Sequence, residues 1–389
     1  MVSESELLAA IDRSELTALL QELVRRPSEN PPGGEEAVAR FLVERCRELG
    51  LDAQLDDVAP GRPNVYVGPA GQPGILFLGH TDTVPAGEGW THAPFGGELV
   101  EGRVIGRGAA DMKAGLAAAV IAMAALNRCG LDRPVALAAV IDEEETGAGI
   151  KALLERPGFG AAAAIVCEPT DLQTIIACRG NCYVEIEVTG RSAHAGSLHE
   201  GRNAIYGATR VVDAIRGLHE QLGSRRHPLL GAGSWSVGTI HGGTGTAMIP
   251  DRCRISVDRR LLPDETGEDA HAQVAAAVAA LDLDELGVRT ELLMEIPSFE
   301  LAPDHDLVQG VLRASVDAGA PEQPVAGWSA ACDGGYLMRY AGIPTVVLGP
   351  GSVVEQAHRP DEAIAVAEVE IAARAYALYA ARMVGHVTP

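Results

Sequence analysis

ILFLGHTD, residues 75–82, is a short apolar run that stops abruptly at a histidine and an aspartate. Its length and its flanks read as a buried strand rather than a helix. The segments around it repeat the pattern. Residues 111–127 are alanine-rich and predict a helix, Val135–Ile141 a second apolar strand, Gly149–Glu155 the start of another helix, and Ala161–Cys167 a third strand. Upstream, two helices are expected, Glu4–Arg26 and Glu35–Leu49, separated by PSENPPGG. Strands alternating with helices predict an α/β layer architecture around a mainly parallel sheet.

After Arg179 the texture changes. NCYVEIEVTGRSAHAG alternates with period two, as a half-exposed antiparallel strand does. A helix at Ala204–Leu222 follows, then strand-like SWSVGTIHGG and DRCRISVDRR, a helix near Asp269–Leu281, and a closing strand, VRTELLMEI. This order predicts a small α+β insert at 179–295. The strand PTVVLG (344–349) and a helix at Ala365–Met383 then return to the first domain, which takes residues 1–178 and 296–389. The sequence shows no internal repeat.

With 389 residues, 47% of them hydrophobic, the chain has enough apolar material for a large core without disulfides or metals as staples. The N-terminal residues lack the basic and apolar regions of a signal peptide. The most apolar stretch, Ala114–Leu126, looks too short to span a bilayer. Seven scattered cysteines fit reduced thiols, so a cytoplasmic protein is expected. A net charge of −22 repels phosphate backbones and argues against nucleic acid as a partner.

Each candidate for chemistry also has an ordinary reading. His80-Thr81-Asp82 taken alone is weak evidence and reads first as a capped turn, and Asp111 reads equally as the N-cap of the helix after it. Asp142-Glu143-Glu144-Glu145 reads as a solvated turn, although it leaves a buried strand directly. Glu168 ends another strand, and His358 lies in the polar loop EQAHRPDE. Taken together they say more. Three of these positions follow the carboxyl ends of buried strands, the edge where ligands bind in open α/β sheets. Two histidines and three carboxylates suit a pair of zinc-like ions. Asp82 is placed to orient His80 through its second ring nitrogen, and a neighbouring glutamate to take a proton from water.

GHTDTVP, GRGAADMKAG, DEEETGAG, CEPT and AHRPDE resemble, in order and spacing, the motifs of one metallohydrolase family. That family includes acetylornithine deacetylase, succinyl-diaminopimelate desuccinylase, aminoacylase and carboxypeptidase G. The resemblance covers nearly the whole chain. It implies a zinc-exopeptidase-like catalytic domain carrying an inserted ferredoxin-like dimerisation (lid) domain. It further implies two divalent ions per subunit, zinc with cobalt able to substitute. His80, Asp111 and Glu168 would hold one ion, and Asp111, as a bridge, with Glu144 and His358 the other. Glu143 becomes the base and Asp82 the support of His80. A register shifted by one residue, with Glu144 as base and Glu145 as ligand, stays open in so acidic a run.

The resemblance also implies that His194, in RSAHAG, reaches the active site of a partner subunit, so that the insert makes a homodimer. Arg260 matches the position that grips a substrate carboxylate, and Arg259 points to the other face of the same strand. Gly351, in GPGS, matches a loop whose backbone amides approach the substrate. Two departures bear on specificity: Ala247 stands where relatives carry asparagine, and Cys332 where many carry threonine. The implied reaction is hydrolysis of an N-acyl amino acid, acetylornithine deacetylation first and succinyl-diaminopimelate desuccinylation second. Dipeptidase or carboxypeptidase action shares the chemistry. The rival of another class, a non-catalytic ligand-binding relative, is disfavoured because all six metal and base positions are present.

Overall fold

The computed structural model describes residues 2–69, 71–131, 135–223, 225–283, 285–383 and 387–388. The elements used below are, in chain order, α1 (Arg13–Val24), α2 (Glu36–Glu48), β1 (Ala53–Ala59), β2 (Arg62–Val67), β3 (Ile75–His80), α3 (Ala114–Arg128), β4 (Val135–Val140), α4 (Ala148–Glu155), β5 (Ala163–Val166), β6 (Ile175–Cys178), β7 (Gly180–Thr189), α5 (Ala204–Leu222), β8 (Ser234–Gly242), β9 (Arg252–Leu261), α6 (Gly267–Ala279), β10 (Gly287–Ile296), β11 (Thr345–Val347) and α7 (Val366–Met383).

Two compact units emerge. The first comprises Met1–Ile176, Leu301–Ala326 and Tyr336–Pro389, and the second Ala177–Glu300 with Gly327–Gly335. The second unit thus takes in the ACDGG segment as well as the stretch expected at 179–295.

The first unit is built on a sheet of order β6-β11-β5-β3-β4-β2-β1. Its four central strands are parallel, and the strands at its margins join antiparallel. Every residue of β3, β4 and β5 is buried. Successive strand side chains point to opposite faces, so helices must cover both. α3 lies on β3 and β4 with α7 behind it, while α2 and α4 pack on β1, β2 and β4. The alanine-rich sequence of α3 is a packing device. Residues 114–126 are all buried, and small side chains let α7 and α1 approach its axis closely.

Two expectations change here. The helix expected over 4–26 is two, because Asp12 leaves helical conformation and caps α1 through the N–H groups of Ser14 and Glu15 at 2.7 and 3.1 Å. The apolar stretch around α3, expected to be too short for a bilayer, is a 20-residue segment, Ala109–Arg128, that is long and apolar enough; 94% of its apolar window is buried within the protein. The seven cysteines are free, and all but Cys129 are buried.

The second unit has the predicted strand–helix–strand–strand–helix–strand order, folded as an antiparallel sheet β8-β9-β7-β10. α5 and α6 pack on this sheet and on each other. Val184, Ile186 and Val188 of β7 point into that core, while Glu185 and Glu187 between them are partly exposed. Asn203 caps α5, and Thr266 with Asp269 forms a capping box on α6.

Candidate metal centre

Strand register brings the candidate residues together. β3 pairs with β4 from Ile75↔Val135 to His80↔Val140, and with β5 from Ile75↔Ala163 to Leu78↔Val166. β3 and β4 therefore end level, and β5 ends two residues earlier, opposite Leu78. The chain leaving them puts His80–Asp82, Asp142–Glu145 and Glu168 on one edge of the sheet. Close approach fixes the rest. A Cβ at Gly115 would lie 2.0 Å from the carbonyl oxygen of Cys167, so only glycine lets α3 meet the end of β5 beside Glu168.

Asp111 is not the helix N-cap that its position suggests. α3 begins at Ala114, and Asp111 stands before it in extended conformation, φ −117° and ψ 98°. Its carboxylate is turned toward two histidines. His80 Nε2 lies 3.4 Å from Asp111 Oδ1 and 3.6 Å from Glu168 Oε1. His358 Nε2 lies 3.4 Å from Asp111 Oδ2 and 3.3 Å from Glu144 Oε1. Two donor groups, His80–Asp111–Glu168 and Asp111–Glu144–His358, thus share one carboxylate, and within each the donor atoms lie within 4.8 Å of one another.

These distances fit a cation in each group. With ligand bonds of about 2.1 Å, donors at tetrahedral angles lie about 3.4 Å apart. The donor chemistry, imidazole nitrogen with carboxylate oxygen, is that of zinc and its neighbours. Glu144 lies in the second group, whereas Glu145 is exposed. The geometry therefore favours the register in which Glu144 is the donor, with Glu143 half-buried beside it.

The electrostatics follow from burial among like charges. Burial, and then the charge of Asp111, hold Glu144 above the usual carboxylate range. Burial opposes the charge on Asp111 too, but His358 and His80 outweigh it and keep Asp111 well below that range. Hydrogen bonds to Asp111 and Glu144 push His358 up to about 10. Burial alone would lower His80, yet Glu168, Asp111 and Asp82 together hold it well above its ordinary value.

Asp82 does more than its motif suggests. The closer partner of His80 Nδ1 is the main-chain oxygen of Asp82 at 2.9 Å, with the Asp82 carboxylate at 3.5 Å. That carboxylate accepts the N–H groups of Glu143 and Glu144, each at 3.2 Å, and the Asn30 amide at 3.1 Å. One side chain therefore supports His80 and holds the loop that carries Glu143 and Glu144. Asn30 also donates to Asp142 at 2.9 Å, as does Arg62, which is itself paired with the buried Glu35. Asn30, Arg62 and Glu35 carry no sequence signal of this role, since they sit in turn-like or strand-edge contexts far along the chain. Asn30 does lie in the PSENPPGG break, whose turn composition explains it locally.

The other candidates fall as follows. Arg260 is partly exposed, 3.0 Å from Asp258, whereas Arg259 is buried and donates to both oxygens of Glu265. His194 is exposed in the second unit, and its Nδ1 accepts the N–H of Gly196 at 3.1 Å. Ala247 is exposed, and its carbonyl accepts the N–H of Ala195; Cys332 is buried. Gly351 is buried, and its N–H donates to Glu368 at 3.3 Å. A φ of 89°, with Ala110 and Ile364 close by, accounts for the glycine.

A family model described as peptidase family M20/M25/M40 matches residues 76–382. Acetylornithine deacetylase of Klebsiella pneumoniae (strain 342) is 33% identical over 341 residues, covering 84% of this chain and 85% of that protein. The solved structure of aminopeptidase PepT from Bacillus cereus aligns with a TM-score of 0.76 at 24% identity, covering 96% of this chain and all of that one. An M20 family metallo-carboxypeptidase from Sulfolobus solfataricus aligns with a TM-score of 0.78 at 18% identity, covering 95% and 99%. At these identities the two structures speak for the fold.

Proposed function

The chain belongs to peptidase family M20/M25/M40 and is a metal-dependent hydrolase of amide bonds; from that premise we propose that it deacylates N-acyl amino acids, N-acetylornithine-like substrates first. The observation that carries the substrate reading is the 33% identity to an acetylornithine deacetylase over most of both chains.

In this reading His80, Asp111 and Glu168 hold one divalent ion, and Asp111, Glu144 and His358 a second, zinc in each with cobalt as a substitute. Such ions polarise a carbonyl and acidify water toward neutrality. The protein supplies the rest. Glu143 removes a proton from the attacking water and returns it to the leaving amine, so one carboxylate serves both halves of the reaction. The Asp82 clamp on the Glu143 amide holds that carboxylate in place. Arg260 grips the substrate carboxylate by paired hydrogen bonds, while Arg259 is engaged with Glu265 and serves the fold. His194 donates to the oxyanion from a partner subunit in a homodimer made through the second unit. Its tautomer supports this role: an Nδ1 that accepts from Gly196 leaves the proton of the neutral ring on Nε2. Seven free thiols suit a cytoplasmic setting.

The proposal is tested by assaying the zinc- or cobalt-loaded protein against N-acetyl and N-succinyl amino acids and against dipeptides. N-acetyl substrates should turn over fastest. Preferred cleavage of dipeptides, whose free α-ammonium needs its own partner, would make the protein a dipeptidase instead.

Ion loading should also be coupled to pH. His358 is held up to about 10 and His80 is shifted upward by its carboxylate neighbours, so both rings hold a proton more tightly than a free imidazole does. Each must lose it before Nε2 can serve as a ligand. Loading at neutral pH is thus expected to release protons, and apparent affinity to rise with pH until these rings titrate. Calorimetry in two buffers of different ionisation enthalpy measures the release. Heats that do not depend on the buffer would contradict it.

A further inference from the structure

Asp111 has two carboxylate oxygens aimed at two different donor groups, yet its own backbone is non-helical, at φ −117° and ψ 98°, within the turn that precedes α3. Something else must hold it. Gly108, in left-handed conformation at φ 81°, starts the segment, and although Lys113 N–H closes a wide turn onto the Gly108 carbonyl at 2.9 Å, Asp111 and Met112 inside that turn depart from helical conformation. The N–H groups of Gly108, Ala110 and Asp111 converge instead on Glu362, which is 2% exposed. Glu362 Oε1 accepts from Ala110 at 2.8 Å and Asp111 at 3.0 Å, and Oε2 from Gly108 at 3.1 Å and Arg107 Nη1 at 2.7 Å. Arg107 is fixed in turn by the carbonyl of Ala86 at 3.2 Å and by the ring of Trp90, 5.3 Å away.

We infer that Glu362 is a positioning residue for the shared carboxylate: by gathering these amides it aims Asp111 so that each oxygen faces one donor group. The inference rests on the two-ion reading. Glu362 also lies four residues after His358, so a rival role exists, holding the His358 loop alone. The two roles differ in what they disturb. Loss of the Asp111 direction weakens both ions together, and loss of the His358 loop weakens one.

Glutamine at this position puts an NH2 group against N–H donors in either orientation, so Glu362→Gln should break the clamp without removing bulk. Glu362→Asp keeps the charge and shortens the reach. Wild type, both variants and His358→Ala are titrated with cobalt, following visible absorption and metal per chain, with circular dichroism as the check on folding. Wild type is expected to bind two cobalt ions. Glu362→Gln should bind both more weakly, by about 10- to 100-fold as for other groups that orient ligands, with an altered absorption band. Glu362→Asp should recover part of that affinity at both sites, and it carries the test if the glutamine variant does not fold. His358→Ala should lose one ion and keep the other. Two cobalt ions bound by Glu362→Gln with wild-type affinity and spectrum would overturn the inference alone, as would selective loss of the ion that His358→Ala loses. Fewer than two cobalt ions in wild type would overturn the two-ion reading, and the inference with it.

Discussion

Glu143→Gln is expected to slow amide hydrolysis by about 100- to 10,000-fold, the usual contribution of a positioned proton-transfer group. The substitution is nearly isosteric, and it leaves the main-chain hold on the loop in place. The Glu143 N–H is held by Asp82 Oδ1 at 3.2 Å, a main-chain contact that glutamine leaves intact. Metal content should therefore stay at two ions per chain and KM should change little, so that the loss falls on kcat. Glu145→Gln is the internal control. Glu145 is exposed and lies outside both donor groups, so its replacement should leave activity close to wild type. The opposite result, a large loss at Glu145 with little at Glu143, would restore the shifted register of the acidic run.

Asp111→Ala is expected to cost more. It removes a donor from each group at once, one oxygen facing His80 and Glu168, the other facing His358 and Glu144. Affinity should fall at both sites by more than the roughly 10- to 100-fold lost when a ligand's supporting partner is removed. Activity should fall to background at ordinary zinc concentrations. The fold should survive. The segment around Asp111 is held through backbone amides, and α3 is anchored by the burial of residues 114–126, neither of which needs the Asp111 side chain. Elemental analysis of the dialysed variant, alongside circular dichroism, separates loss of ions from loss of structure. Retention of two tightly held ions would remove Asp111 from its assigned place as the bridge.

What could be read from the residues, and what could not, divides along a physical line. The strands that build the edge are legible because burial of both faces demands continuous apolar runs, and ILFLG, VALAAVI and AAAAIVC are such runs. The half-exposed β7 is legible through its period-two alternation. The conformation of Asp111 is not, because a residue just before an apolar helix looks like a cap whether or not it serves as one. Glu362 was in plain view inside AHRPDE, but its partners lie about 250 residues earlier and are backbone amides, which have no signature in side-chain chemistry. The same holds for Asn30 and Arg62, whose work is to hold Asp82 and Asp142 across long sequence separations. Gly351 shows a second reason for a glycine that its motif does not reveal. A glycine loop suggests exposed amides, yet positive φ and tight packing against Ala110 require glycine there for reasons internal to the fold.

The central claim is that two cations share Asp111 at the edge of this sheet, and anomalous scattering from crystals of the zinc-loaded protein tests it most directly. The account predicts two peaks at the zinc edge in each subunit, one among His80, Asp111 and Glu168 and the other among Asp111, Glu144 and His358. A single peak, or zinc bound away from Asp111, would contradict it.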